Sequence, residues 1–130
     1  MNYQNPITKN EDFIQTWHIP EQICDAIVEY FKNNPDKHEP GQAITNKQGS
    51  VIRKDFKEST DLPIDANYWE QPFTDYRIEL QKCLDDYVKK YPHLEHVVRF
   101  NIVEGYNIQH YPIGGGFKIE HFERNGSFNK

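Results

Sequence analysis

Between Pro20 and Asn34 the apolar residues Ile23, Ala26, Ile27, Tyr30 and Phe31 recur at spacings of three and four. That rhythm predicts an amphipathic helix, with Pro20 suited to its first position. Asn33-Asn34-Pro35 should stop it, because the residue before a proline is pushed out of helical geometry. A second stripe, formed by Phe73, Tyr76, Leu80, Cys83, Leu84, Tyr87 and Tyr91, predicts a helix from about Pro72 to Lys90. Residues 35–67 are rich in Pro, Gly, Asn, Asp and Ser, and only Ser50-Val51-Ile52-Arg53 alternates. A short strand within mostly connecting structure is expected there.

Beyond Pro92 the helical period gives way to alternation, first over Val97 to Val103 and again over Asn107 to Tyr111, around a Glu104-Gly105 turn. This predicts hairpin strands. Gly114-Gly115-Gly116 then turns the chain into a third strand, whose alternation sets Phe117, Ile119, His121 and Glu123 on one face and Lys118, Glu120 and Phe122 on the other. Two helices followed by antiparallel strands suggest a single α+β domain, with helical support over 1–92 and strands over 93–130.

Composition adds bounds rather than an answer. A chain of 130 residues is the size of one small domain. Only 36% of it is hydrophobic and 27% is charged, but eight Tyr, eight Phe and two Trp supply large apolar faces for a core. The net charge of -5, with both signs interspersed, offers no basic surface and argues against direct nucleic-acid binding. The N-terminal MNYQNPITKNEDF lacks the basic start and apolar stretch of a secretory signal, and no segment approaches bilayer-spanning length, so a soluble cytoplasmic protein is expected. Cys24 and Cys83 fall at apolar positions of the two helices and are read as reduced core residues rather than a disulfide pair.

His121-Phe122-Glu123 carries the candidate chemistry. An imidazole and a carboxylate two residues apart on a strand project to the same side and can hold one ion. They would be two corners of a facial triad, which leaves three adjacent positions on Fe(II) for a bidentate cosubstrate and dioxygen. By itself, His-x-Glu is common by chance and usually means a surface ion pair or a satisfied histidine.

The run Tyr106-Asn107-Ile108-Gln109-His110-Tyr111-Pro112-Ile113-Gly114-Gly115-Gly116-Phe117-Lys118-Ile119-Glu120-His121-Phe122-Glu123 resembles the prolyl-4-hydroxylase-like branch of the 2-oxoglutarate/Fe(II)-dependent oxygenases. In that family a strand ending in Gln-x-Tyr, a Pro/Gly-rich turn and an aromatic residue precede His-x-Asp or His-x-Glu. Upstream, Lys57-Glu58-Ser59-Thr60-Asp61-Leu62 resembles a Lys-Asp-Ser-Thr-Asp segment of bacterial and phage members. The resemblance implies two helices packed on the first antiparallel strands of a double-stranded β-helix (jelly-roll) barrel. It implies Fe(II), 2-oxoglutarate and dioxygen, with ascorbate as an optional reductant, used to hydroxylate a prolyl or other side chain of a peptide or protein. His121 and Glu123 would be metal ligands. Tyr111 would be a wall of the cosubstrate pocket, or else an aromatic packed inside the barrel.

The family also uses a second histidine tens of residues later and a basic residue for the far carboxylate of 2-oxoglutarate. Seven residues follow Glu123 and none is a histidine. The chain alone is therefore expected to be inactive or nearly so, with the barrel completed by a longer product, a second polypeptide or a homo-oligomer. His110, the pair His93 and His96, His18 and His38 are weak substitutes for the missing ligand, as are Arg124 and Lys130 for the anchor. The competing expectation is a non-catalytic, oxygenase-derived interaction or assembly module, whose open sheet edge pairs with another chain. A phosphate-binding loop is disfavoured, because a strand rather than a helix N-terminus follows the glycines.

Overall fold

The computed structural model describes residues 13–45, 47–96 and 102–121. It is a mixed α+β protein with two helices and small antiparallel sheets, and among the described residues no sheet closes into a barrel. The chain divides into two compact units that interleave in sequence, one from residues 1–35 and 65–105, the other from 36–64 and 106–130.

The first unit holds α1 (Glu21–Asn33) and α2 (Phe73–Lys90), close to the predicted spans. Each proline lies one step outside its helix, at the N-cap. The Pro20 carbonyl accepts from the amide of Ile23 at 3.0 Å, and the Pro72 carbonyl from that of Tyr76 at 3.1 Å. Aromatic packing joins the helices. The Tyr30 ring meets Phe73 edge-on at 4.9 Å, Tyr68 lies 5.9 Å from Phe73, and Phe73 is fully buried. A second cluster links Phe13 to Tyr91 at 5.1 Å and Tyr87 to Tyr91 at 4.9 Å, and the Tyr87 hydroxyl donates to the Phe13 carbonyl. Arg77 is buried and donates to the carbonyls of Asp65 and Ala66 while its guanidinium lies 4.5 Å from the centre of the Trp69 ring. The stripe of α1 is less complete than its spacing suggests, since Ala26 is exposed. Cys24 is exposed too, which corrects its reading as a core residue; Cys83 is partly buried, and both thiols are free.

The second unit holds the strands. They begin at Glu39, so the segment expected to be mostly connection carries β1 (Glu39–Pro40), β2 (Ala43–Thr45), β3 (Gly49–Val51), β4 (Lys57–Glu58) and β5 (Thr60–Ile64). The strand expected near Ser50 is β3, in a hairpin with β2. β5 escapes pattern reading because it contains Pro63, which lacks a ladder donor. It is tolerated because β1 pairs only with Thr60 and Asp61, leaving Pro63 a single neighbour, Asn107 of β6 (Tyr106–His110). β6 runs antiparallel to β5 over Thr60↔His110 to Ile64↔Tyr106. The hairpin partner expected for it, Val97 to Val103, lies mostly outside the described residues, and residues 102–105 bend rather than extend. β7 is only Gly116–Phe117 and pairs with β4. No described helix is long and apolar enough to cross a membrane.

Candidate functional site

The two segments singled out in the sequence lie against each other within the second unit. Lys57 pairs with Phe117 and Glu58 with Gly116, while Thr60, Asp61 and Leu62 pair with His110, Gln109 and Ile108. The glycine turn makes both ladders possible. Gly114 has φ +79°, a conformation that suits glycine. A Cβ on Gly115 would stand 2.7 Å from Pro112 Cδ and 2.8 Å from the Glu58 carbonyl oxygen, too close for any other residue without movement. The amide of Gly115 donates to the Pro112 carbonyl at 2.8 Å, and that of Lys118 to the Phe56 carbonyl at 2.7 Å. On the upstream side a turn brings the Lys57 amide to the Arg53 carbonyl at 2.9 Å. At its exposed rim a hydrogen bond from Arg53 holds the Asp55 carboxyl below its usual range.

At the centre lies a buried ion pair. Lys57 and Asp61 are 5% and 6% exposed, with Lys57 Nζ 2.9 Å from Asp61 Oδ2. Such a pair is stable only when its remaining hydrogen-bonding capacity is filled. Ser59 Oγ donates to Asp61 Oδ1 at 2.7 Å, and Gln109 Nε2 donates to Oδ2 at 3.2 Å. Tyr111, half-exposed, donates its hydroxyl to Gln109 Oε1 at 3.2 Å. The predicted cosubstrate-pocket residue is thus tied through Gln109 to the upstream segment. Gly41 closes the other side, where a Cβ would fall 2.1 Å from Ser59 Oγ.

His121 is exposed, and its ring stacks on Phe117 with centroids 3.6 Å apart and planes 12° apart. The strand does not continue through it. Four residues of extended chain would separate the two by about 13 Å, so the bend at Ile119 brings the rings together. The expected strand face does not extend past Phe117; the His121 ring meets Phe117 through that bend rather than by strand alternation. His121 Nδ1 lies 3.2 Å from the Ile119 carbonyl oxygen. In the neutral ring, donation there leaves the lone pair at Nε2, one of the two imidazole nitrogens through which histidine binds metals.

Glu123 lies outside the described residues, as do Arg124 and Lys130. Among the described residues no group of three His, Cys, Asp or Glu side chains could hold a metal ion. The described side chains alone do not chelate an ion. His93 and His96 face each other edge-on at 5.6 Å on an exposed 3-10 turn in the first unit, and His110 is exposed on β6. Lys118 Nζ reaches Glu58 Oε2 at 3.1 Å. A solvent-open hollow of about 380 Å³ beside His38, Lys54, Glu58 and Thr60 carries both signs of charge.

Sequence reading passed over the Lys57–Asp61 pair and Gln109 as individual side chains. Their signal is a period of two in polar residues, Lys57-Ser59-Asp61 and Gln109-Tyr111, which in paired strands means a shared polar face. Comparison with family models, with curated proteins and with solved structures gives no match for this chain.

Proposed function

We propose that the second unit is the opening part of an iron(II)- and 2-oxoglutarate-dependent oxygenase barrel of the prolyl-hydroxylase type, acting on a prolyl or other side chain of a peptide or protein. The observation that carries this reading is the pairing of the two resembling segments with each other, Lys57 to Asp61 against Gln109 to Phe117. Segments that resemble one family separately, and then pair with each other beside the buried Lys57–Asp61 ion pair, support a common origin more than either does alone. In this reading β4 to β7 are the first strands of the jelly roll. His121 offers Nε2 and Glu123 a carboxylate to the metal, and Phe117 fixes the imidazole plane. Iron with 2-oxoglutarate and dioxygen would supply the oxidising chemistry; the chain's own part is to hold the donors and wall the pocket with Tyr111.

Substoichiometric Mn(II), watched by NMR on the full chain, should broaden the His121 and Phe117 resonances first, and His121→Ala should abolish that selectivity. Broadening scattered over the acidic surface in the unaltered chain would sink the assignment. Anaerobic Fe(II) plus 2-oxoglutarate should give a visible charge-transfer band wherever the remaining ligands are supplied.

A second reading, a non-catalytic interaction module, is favoured by exposed Ile44, Ile52 and Ile113 in the same unit. It predicts metal-independent self-association or partner binding, and a sedimentation profile that stays monomeric at high concentration would dismiss self-association.

A further inference from the structure

A buried ion pair is costly to assemble, and apolar residues of similar shape often serve stability as well. This one lies where it can hold something else in place. Lys57 sits directly opposite Phe117 in the β4–β7 ladder, which puts the two side chains on one face of the paired strands. Its ammonium, 2.9 Å from Asp61 Oδ2, also lies over the Phe117 ring, 5.7 Å from the ring centre. A cation within about 6 Å of a ring centre is attracted by the ring quadrupole, more strongly when it is desolvated. Phe117 in turn carries the His121 imidazole, with centroids 3.6 Å apart and planes 12° apart. His121 depends on such a support, because β7 ends at Phe117 and residues 119–121 belong to no strand. The Ile119 carbonyl meets the imidazole at its Nδ1 edge and Phe117 meets its face, so the two contacts together set the ring's direction.

We propose that Lys57, anchored by Asp61, is a positioning residue for His121: it fixes the Phe117 ring, and Phe117 fixes the plane in which His121 presents Nε2. The contacts from Asp61 through Lys57 and Phe117 to His121 stand on geometry alone, whereas the metal that Nε2 would meet rests on the oxygenase reading above. In this arrangement the upstream resembling segment acts on the candidate metal donor without touching it. The buried pair then has a task that an apolar replacement does not perform, since only a charged group in place draws the ring toward it. Groups that orient a metal-binding histidine from behind typically change metal affinity by about 10–100-fold when they are removed.

NMR on the isotopically labelled, metal-free full chain reads the positioning directly. The His121 ring protons should resonate upfield of an ordinary histidine, because they lie over the Phe117 ring. Phe117→Leu should abolish that shift and return the Lys57 ε-methylene protons toward ordinary lysine values, whereas Phe117→Tyr should keep both. Lys57→Leu combined with Asp61→Asn removes both charges and should diminish the His121 shift, while the Leu62 and Ile64 methyl signals report that the strand stays folded. An unchanged His121 shift in that folded double variant overturns the role of Lys57. So do Lys57 signals indifferent to Phe117→Leu, which decide the matter should the double variant not fold. With Mn(II) added, the concentration that half-broadens His121 should rise about tenfold in Phe117→Leu and stay unchanged in Phe117→Tyr. Equal concentrations in all three chains overturn positioning toward a metal. If Mn(II) never singles out His121 in the unaltered chain, the oxygenase reading falls, while the metal-free shifts still judge the contacts among Lys57, Phe117 and His121.

Discussion

The two units solve burial with different materials. In the first, two helices meet through rings, and Phe73 is buried against Tyr30 and Tyr68 with no polar atom of its own to satisfy. In the second, Leu62 and Ile64 are buried along one strand, yet the same segment buries a lysine and an aspartate. Apolar burial is non-directional and tolerates small errors of placement. A buried ion pair does not, because each unfilled hydrogen bond costs desolvation with nothing in return. The first unit also buries Arg77 and Glu79, but against backbone carbonyls and a half-exposed Lys82, so among the described residues an ion pair with both partners buried is what sets the second unit apart.

The largest effect should come from the apolar side. Phe73→Ala removes a fully buried ring, and for that class of change a loss of ~3–5 kcal/mol is typical, read as a lowered denaturant midpoint. Lys57→Met should follow at about 3 kcal/mol, because it leaves the Asp61 charge buried beside Ser59 and Gln109 only. Adding Asp61→Asn to that variant should recover part of the loss, whereas an equal or larger loss in the double variant would mean that the pair does not act as a unit. If Phe73→Leu were as costly as Lys57→Met, the contrast between a forgiving and an exacting core would not hold.

That contrast also explains what could be read from the sequence. Both helices were legible because their burial is apolar and recurs with the helical period, from Ile23 to Phe31 and from Phe73 to Tyr91. Alternation revealed β6 and part of β3, whereas β1, β4 and β7, at two residues each, are too short to show it and β5 hides behind Pro63. Lys57 and Asp61 were legible only as part of a resembling segment, since the ladders that bring that segment against Gln109 and Phe117 join residues some fifty positions apart. His121 was legible as a residue, but the bend that stacks it on Phe117 was not.

Next in size are the glycines of the second unit. Gly115→Ala places a Cβ within 2.8 Å of the Glu58 backbone oxygen and should cost ~1–3 kcal/mol with loss of the β4–β7 pairing, seen as faster amide exchange at Lys118. At Gly116 nothing lies within 4 Å of an added Cβ, so Gly116→Ala should be close to neutral. Equal costs at the two positions would mean that the close approach at Gly115 is not what the turn requires.

The smallest effect separates two thiols of the first unit without touching stability. Cys24 is exposed on α1, whereas burial, reinforced by the nearby carboxylates of Asp86 and Glu79, raises the pKa of Cys83 above the usual thiol value. A raised pKa leaves less thiolate at any given pH, and the thiolate is the reacting species. At pH 8 an aromatic disulfide reagent should therefore label Cys24 first and Cys83 slowly, with the Cys83 rate still climbing at pH values where ordinary thiols have levelled off. The sign carries over to folding: the neutral thiol is the form the fold prefers, so this contribution is present below the ordinary thiol range and is lost as pH rises through the raised value. Cys24→Ser should leave one slow phase and Cys83→Ser one fast phase. If the two single-cysteine variants reacted at one rate, the α2 stripe around Leu80, Cys83 and Leu84 would not be the buried face, and the account of the first unit as the apolar partner of the pair would fail with it.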